Sequence, residues 1–90
     1  MIPTNALTKK EYTGGNIAEL QSTGYSDNTW ATYRQWKSLG YQVQKGEKGT
    51  KIIKFVKVER KDKKTGKVEE KLAPKGYTVF NIAQVAEIEE

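Results

Sequence analysis

The hydrophobic and polar positions of this chain change their period at residue 40. No glycine or proline interrupts residues 30–39, which predicts a helix over this stretch. Three polar residues that can cap its start precede it: Asp27, Asn28 and Thr29. Gly40 is expected to end the helix in the left-handed conformation, which a residue without a Cβ adopts at little cost. Tyr41 is then expected to fold back onto Trp36, a contact that often accompanies such an ending.

Beyond residue 40 the period becomes two, because Tyr41 and Val43 alternate with glutamines. This alternation predicts a half-buried strand. Residues 46–49, Gly-Glu-Lys-Gly, predict a tight turn with Gly49 at positive φ, followed by a second strand. We therefore expect a hairpin whose tip carries two lysines.

A shorter helix is predicted nearer the N-terminus. Pro3 disfavours helix within residues 1–11. Asn16 can cap a helix over residues 17–23, and Glu19 stands three residues later, as in a capping box. Both predicted helices therefore precede the sheet.

The second half of the chain predicts strands. Residues 51–60 form the longest one, although apolar residues of both parities leave its core face undecided. Residues 61–67 predict an exposed turn into a weaker strand at residues 68–72.

Pro74 and Gly76 are expected to break the chain before a last strand at residues 77–80. Asn81 can then cap a short helical segment. The order of elements predicts an α+β fold with two N-terminal helices, a small, mostly antiparallel sheet of hairpins and a short C-terminal helix.

Charge is the strongest feature of the composition. The 90 residues carry 16 Lys and Arg against 11 Asp and Glu, a net charge of +5, and the pI is about 9.4. Three of the acids lie in residues 86–90, so residues 1–85 hold 16 basic and eight acidic residues, a net charge of +8. We therefore predict a domain over residues 1–85 and an acidic tail over residues 86–90. A basic body suits a polyanionic partner, although net charge also serves merely to keep proteins monomeric.

The chain contains neither cysteine nor histidine. Their absence excludes disulfides and thiolate metal sites, and it removes the usual general base and metal ligand. Residues 46–50 also lack the spacing of a phosphate-binding loop. We predict no cofactor, no metal and no enzymatic activity. No stretch is apolar over the length of a signal peptide or a membrane span, so we expect a cytoplasmic protein with no membrane partner.

Motifs spread over residues 3–85 resemble a known family. They are Asn5-x-x-Thr8, Tyr12-x-Gly14-x-Asn16, Trp30-x-Thr32-Tyr33-x-Gln35, Leu39-Gly40-x-x-Val43-x-Lys45-Gly46-Glu47-Lys48-Gly49-Thr50 and Val79-Phe80-Asn81-x-x-Gln84. The pattern is similar to the N-terminal domain of ArdC-type antirestriction proteins, and the last two motifs in this order are its most specific part. The resemblance implies a single-stranded DNA-binding module of plasmids, phages and other mobile elements. In that family a zinc metallopeptidase-like domain commonly follows; the chain stops before one, so we expect no proteolysis.

Single-stranded DNA is held by cations along its backbone and by aromatic faces under its bases. Trp30, at the expected helix entrance, is assigned to stacking because the family motif keeps a tryptophan there; core packing is the alternative. Gln35 either reads a base edge or satisfies buried backbone groups. Lys45 and Lys48 flank a turn whose N–H groups can cradle a phosphate. The predicted DNA-binding residues are Tyr12, Trp30, Arg34, Gln35, Lys45, Lys48 and Lys51.

These observations predict a stand-alone protein of a phage or plasmid that binds single-stranded DNA with little sequence preference. Its role would be antirestriction or DNA transfer. The alternative is an inhibitor that docks on a host nuclease or on a CRISPR or restriction complex. The lysine-rich residues 57–75, which do not belong to the family pattern, are interpreted as a solvated loop.

Overall fold

The computed structural model describes residues 2–89. Its elements are short, apart from two long strands. In chain order they are β1 (Thr4–Asn5), α1 (Gly15–Gln21), β2 (Thr29–Thr32), α2 (Tyr33–Ser38), β3 (Tyr41–Val43), β4 (Thr50–Lys61), β5 (Val68–Asn81), a 3₁₀ helix (Ile82–Gln84) and β6 (Val85–Glu87).

Strands rather than helices build this fold. Four of them form a sheet in the order β1-β2-β5-β4, with β1 parallel to β2 and the other neighbours antiparallel. β3 and β6 form a separate antiparallel pair. The predicted α+β arrangement, with two helices first, a sheet of hairpins next and a helix last, is wrong. Strand accounts for 44% of the described residues, and the sheet is curled.

β2 occupies the start of the helix predicted over residues 30–39. Its Trp30 and Ala31 are buried and pair with β5, so tertiary pairing overrides the local preference. The helix begins only after Thr32, whose Oγ1 accepts from the Gln35 amide at 3.2 Å, while Gln35 Oε1 accepts from the Thr32 amide at 3.0 Å. This capping box fixes the helix start, and the prediction of a cap within residues 27–29 is therefore wrong.

The predicted end of that helix is confirmed. Gly40 has φ 86°, and the rings of Trp36 and Tyr41 meet edge to face with centroids 5.3 Å apart. The left-handed glycine reverses the chain so that Tyr41 covers the tryptophan.

The hairpin predicted around residues 46–49 is wrong. β3 pairs with β6, and β4 pairs with β5, so residues 44–49 cross from one sheet to the other. The left-handed residue in this crossover loop is Gly46, with φ 86°, and not Gly49. Position 49 requires a glycine because the backbone packs closely on β5, and a Cβ there would collide with the Thr78 side chain.

α1 has no side-chain cap, so the predicted capping box of Asn16 and Glu19 is wrong. The helix follows Gly14 instead. Asn16 Nδ2 donates to the carbonyl of Ile53 at 2.7 Å, and Asn16 Oδ1 accepts from the Ile53 amide at 3.0 Å. The side-chain amide thus satisfies the outer edge of β4 in place of a neighbouring strand.

β4 and β5 form one long hairpin in which twelve residue pairs run without a bulge. The turn predicted over residues 61–67 is confirmed, with Asp62 Oδ1 accepting from the Lys64 amide at 2.8 Å. The break predicted at Pro74 and Gly76 is wrong, because β5 continues through both. At Pro74 and Gly76, β5 pairs with β4 but not with β2. A residue without an N–H is tolerated there, because one side of the strand has no neighbour.

We call the hairpin of residues 50–81 the arm, and the remaining described residues the base. The core lies in the base and at the root of the arm. One buried cluster contains Tyr12, Leu20, Trp30, Ile52 and Val79, and a second contains Ala6, Ala31, Trp36 and Val85. Farther out, every residue from 57 to 72 is exposed.

The C-terminal segment closes the base. Asn81 caps the 3₁₀ helix as predicted, with Oδ1 accepting from the Ala83 amide at 2.9 Å. β6 then pairs with β3, and the Ile88 amide donates to the Gly40 carbonyl at 2.9 Å. Part of the segment interpreted as an acidic tail is therefore attached to the folded body. Met1 and Glu90 lie outside the described residues.

Candidate nucleic-acid interface

An open groove of about 1290 Å³ follows the outer edge of β4. Residues 8–16 form one wall, and the root of the arm forms the other. Four of its side chains suit a nucleic acid: Lys10, Lys51, Lys54 and Phe55. Glu11 and Glu19 also border the groove. The hydrogen bonds between Asn16 and Ile53 hold the two walls together.

Two lysines face each other across the arm beside this groove. Lys54 and Lys75 are directly opposed in the register of β4 and β5, which puts both side chains on one face of the sheet. Their ammonium groups lie 5.8 and 5.5 Å from the centroid of the Tyr77 ring, and that of Lys54 lies 5.5 Å from the centroid of Tyr12. Within residues 2–89 neither lysine has a carboxylate partner. Because like charges directly opposite each other are unfavourable, the pair forms a concentrated positive site that an anion would relieve.

Phe55 provides an open aromatic face on the opposite side of β4 from these cations. Its side chain is 68% exposed and borders the groove. Strand alternation directs it to the face opposite Lys54, and the groove reaches both residues because it follows the edge of the strand. A cation site and an aromatic face are therefore separated only by the thickness of one strand.

Asn5 fixes the floor of the groove. Its Nδ2 donates to the Tyr12 hydroxyl at 2.9 Å and to Gln35 Oε1 at 2.8 Å. Burial raises the pKa of the Tyr12 hydroxyl, and the hydrogen bond from Asn5 acts in the opposite direction. Tyr12 therefore stays neutral at physiological pH, and its ring forms a rigid wall beneath Lys54.

Charge is divided unequally between the two parts of the molecule. Residues 50–81 contain ten basic and four acidic residues, a net charge of +6. Residues 1–49 and 82–90 contain six basic and seven acidic residues, a net charge of −1. The arm thus carries all of the excess positive charge that the composition reveals.

The structure brings two of the seven predicted binding residues to the groove. Tyr12 and Lys51 both border it. Gln35 is half-buried and connects to the groove only through Asn5, and its Oε1 also completes the cap of α2. Arg34 is exposed on α2, outside the groove. Of these four residues, two border the groove, Gln35 supports it from behind through Asn5, and Arg34 lies apart from it.

Trp30, Lys45 and Lys48 are not part of the groove. The expectation that Trp30 keeps an open face at a helix entrance is wrong, because its side chain is 1% exposed and packs edge to face on Tyr25 at 5.7 Å. Its Nε1 is buried without a hydrogen-bond partner among residues 2–89. In this structure the ring belongs to the core and cannot stack on a base. Both lysines are exposed in the crossover loop.

The described residues offer no other obvious chemistry. Within residues 2–89, no group of three or more acidic side chains is placed to hold a metal ion. No helix in that range is long and apolar enough to cross a membrane. The groove and the arm are therefore the features that call for a function.

Known proteins show which family has this architecture. The family described as the N-terminal domain of anti-restriction factor ArdC matches residues 1–80. The chain belongs to this family. The metal-free crystal structure of the antirestriction ArdC protein from plasmid R388 is 41% identical and superposes with a TM-score of 0.88. The match covers 100% of this chain and 34% of that ArdC chain.

Two further relatives contain the same domain within longer proteins. Protein y4eC of Sinorhizobium fredii (strain NBRC 101917 / NGR234), which is uncharacterised, is 37% identical over 94 residues, or 92% of this chain and 31% of the relative. DNA primase TraC of Escherichia coli is 45% identical over 69 residues, or 73% of this chain and 6% of the primase. The chain therefore spans about a third or less of the length of these relatives.

The structure explains why the two most specific motifs of the ArdC N-terminal domain occur together. Gln84 is 2% exposed, and its Nε2 donates to the carbonyl of Lys48 at 2.8 Å and to Glu47 Oε1 at 3.3 Å. Its Oε1 accepts from the Asn81 amide at 2.9 Å. Gln84 of the downstream motif thus holds the crossover loop, which is part of the upstream motif, and these residues serve the fold.

Sequence reasoning missed Lys54, Lys75 and Phe55. Strand propensity placed Lys54 and Phe55 on a strand, but residues 57–75 were interpreted as a loop, which hid Lys75. Only the register of β4 and β5 shows that the two lysines are opposed. The sequence has apolar residues of both parities on β4, and only the burial of Ile52, which shares its parity with Lys54, shows that Lys54 is on the core face.

Proposed function

We propose that this ArdC N-terminal domain binds single-stranded DNA with little sequence preference, in the groove along β4. The opposed pair of Lys54 and Lys75, which lacks a carboxylate partner among residues 2–89 and is followed on β4 by the exposed Phe55, carries the proposal. Cations that follow the phosphates, combined with open aromatic faces, are the combination that holds single strands. Such contacts do not read base edges, so little sequence preference is expected.

The charge of the arm supports the same function. A net charge of +6 over residues 50–81 attracts a polyanion and makes its binding dependent on salt. The near-neutral base contributes little to this attraction. The proposed strand therefore approaches the molecule from the side of the arm.

We infer that the domain serves antirestriction or DNA transfer on a plasmid. The relatives support this setting, since one is an antirestriction protein of plasmid R388 and another is a DNA primase. A domain that covers single strands would protect or escort DNA that enters a cell in that form.

A second candidate function is docking on a host nuclease complex. The observation that favours it is a row of exposed apolar side chains on one face of the arm: Ile53, Phe55, Val68 and Leu72, each more than half exposed. Exposed apolar side chains on one face are typical of protein-binding sites, although the opposed Glu59 and Glu70 interrupt this row. Its binding would depend weakly on salt, in contrast to DNA binding.

Fluorescence anisotropy with labelled single-stranded and duplex oligonucleotides at two salt concentrations tests these functions. We expect tighter binding of the single strand and a decrease of log K with log salt of about 0.7 per phosphate neutralised. The double variant Lys54→Gln/Lys75→Gln should weaken binding about tenfold and reduce the salt slope by about 1.4.

The matched control is Lys45→Gln/Lys48→Gln, which removes the same charge from the crossover loop. It should bind nearly as well as the wild type. Equal losses of affinity in the two double variants would mean that the DNA does not bind in the groove. Absence of binding at low salt, or binding that is independent of salt, would favour docking on a protein.

A further inference from the structure

We propose that the outer half of the arm extends the DNA site, so that a single strand leaving the groove continues along one face of the hairpin. The inference rests on the proposed single-strand binding and adds the residues that hold the strand beyond the groove. Under this proposal residues 57–75, a loop by sequence, become a binding surface.

The uninterrupted register defines the two faces of the arm. Directly opposed residues of an antiparallel pair share a face, and successive residues alternate between faces. The inner face, which contains Lys54 and Lys75, continues outward through the pairs Val56–Ala73, Val58–Lys71 and Arg60–Glu69. The outer face contains Phe55 and the pairs Lys57–Leu72, Glu59–Glu70 and Lys61–Val68.

The two faces differ in charge and in apolar surface. From residue 54 outward, the inner face carries four basic residues (Lys54, Arg60, Lys71 and Lys75) and one acidic residue (Glu69). The outer face over the same length carries two basic and two acidic residues together with the larger apolar side chains. Charge complementarity with a phosphate backbone therefore selects the inner face.

The inner face is continuous with the cation site of the groove, where Lys54 lies over the Tyr12 ring of the base, and it becomes fully exposed beyond the half-buried pair Val56–Ala73. From the Lys54–Lys75 pair to the Arg60–Glu69 pair is six residues along the strand, about 20 Å of surface. Every residue from 57 to 72 is exposed, and the molecule measures 54 Å along its longest axis against 33 and 24 Å along the others. A two-stranded hairpin of this length gains little from its own packing, so a bound strand would stabilise it.

Two charge reversals on opposite faces of the same hairpin test the proposal. Arg60→Glu/Lys71→Glu changes the inner face, and Lys57→Glu/Lys61→Glu makes the same charge change on the outer face at a similar distance from the groove. Each protein is titrated with oligothymidylates of about 6 and about 20 nucleotides, the first near the lower end and the second above the upper end of the site sizes of small single-strand-binding domains.

We expect the inner-face variant to bind the long oligonucleotide about tenfold more weakly than the outer-face variant, with a salt slope lower by about 1.4. Both variants should bind the short oligonucleotide as the wild type does, because the groove is unchanged. Equal affinities of the two variants for the long oligonucleotide would overturn the proposal, since only net charge would then matter. Equal weakening of short and long oligonucleotides by the inner-face variant would also overturn it.

Failure of the proposed function gives a different result, in which the wild type binds neither oligonucleotide. Thermal melting followed by circular dichroism checks that each variant is folded. If either reversal impairs folding, Arg60→Gln/Lys71→Gln and Lys57→Gln/Lys61→Gln repeat the comparison without introducing carboxylates, and they should give the same order of affinities.

Discussion

The base and the arm divide the tasks of recognition and stability between them. The base contains most of both buried clusters and a balanced charge, and its motif residues Asn5, Gln35 and Gln84 use their side chains for internal hydrogen bonds. The arm carries a net charge of +6 and, beyond its root, exposed side chains only. The residues that identify the family thus build the scaffold, whereas the proposed binding chemistry lies in the least distinctive part of the sequence.

The largest expected loss of stability comes from a substitution in the base. Trp30→Ala should lower the free energy of unfolding by about 3–5 kcal/mol, since it empties a fully buried aromatic site. Phe55→Ala, on the arm, should change it by about 0.5 kcal/mol or less, because the ring is already 68% exposed. Urea unfolding measures both values.

Trp30→Phe is a milder variant in case Trp30→Ala does not fold. It keeps an aromatic ring and removes the buried Nε1 that has no partner among the described residues, so its loss should be smaller. A loss in Trp30→Ala as small as that in Phe55→Ala would contradict the division between base and arm.

A smaller loss of stability is expected from a substitution at Gln84, which joins the two sheets. Gln84→Ala should cost about 1–3 kcal/mol, because the Asn81 amide and the Lys48 carbonyl lose their partner. Gln42→Ala, on the exposed side of β3, is the control and should be nearly neutral. Below the unfolding transition, Gln84→Ala should bind DNA like the wild type. Lost binding with unchanged stability would instead place Gln84 in the interface.

Local signals predicted the parts of the fold that neighbouring residues determine. Gly40 ends a helix, Asp62 closes the turn of the arm, and Asn81 caps a helical turn, all within a few residues of sequence. Trp30 fails as a helix residue because its strand partner, Asn81, lies fifty-one positions away. Asn16 similarly has two possible roles, since its side chain can cap α1 or hydrogen-bond the backbone at the edge of β4. Only the tertiary structure decides between these roles.

The candidate site was predictable to a smaller extent. Tyr12 and Lys51 border the groove, but their assignment relied on the family resemblance more than on pattern. The opposed pair of Lys54 and Lys75 depends on a register that β5 keeps through Pro74, which a sequence reader takes as a break. Register is a property of two strands, so neither strand alone reveals it.

The smallest expected change in stability comes from a substitution in the opposed lysine pair. It tests most directly whether the arm serves binding rather than stability. Lys54→Glu replaces a like-charge pair with an opposite-charge pair facing Lys75. Cross-strand pairs of this kind contribute about 0.2–1 kcal/mol, so the variant should be slightly more stable than the wild type in urea unfolding. The lost contact of the Lys54 ammonium with the rings of Tyr12 and Tyr77 offsets part of this gain, although Lys75 remains over Tyr77.

The same variant should bind single-stranded DNA more weakly, because it removes one cation and introduces a carboxylate beside the groove. Lys54→Gln is the control, since it removes the same cation without placing a carboxylate opposite Lys75. Higher stability with lower affinity would mean that the arm maintains an unfavourable charge pair for its ligand, a conflict typical of functional sites. If Lys54→Glu is less stable than the wild type, the aromatic contacts of Lys54 outweigh its repulsion from Lys75, and the lysine serves the fold rather than the ligand.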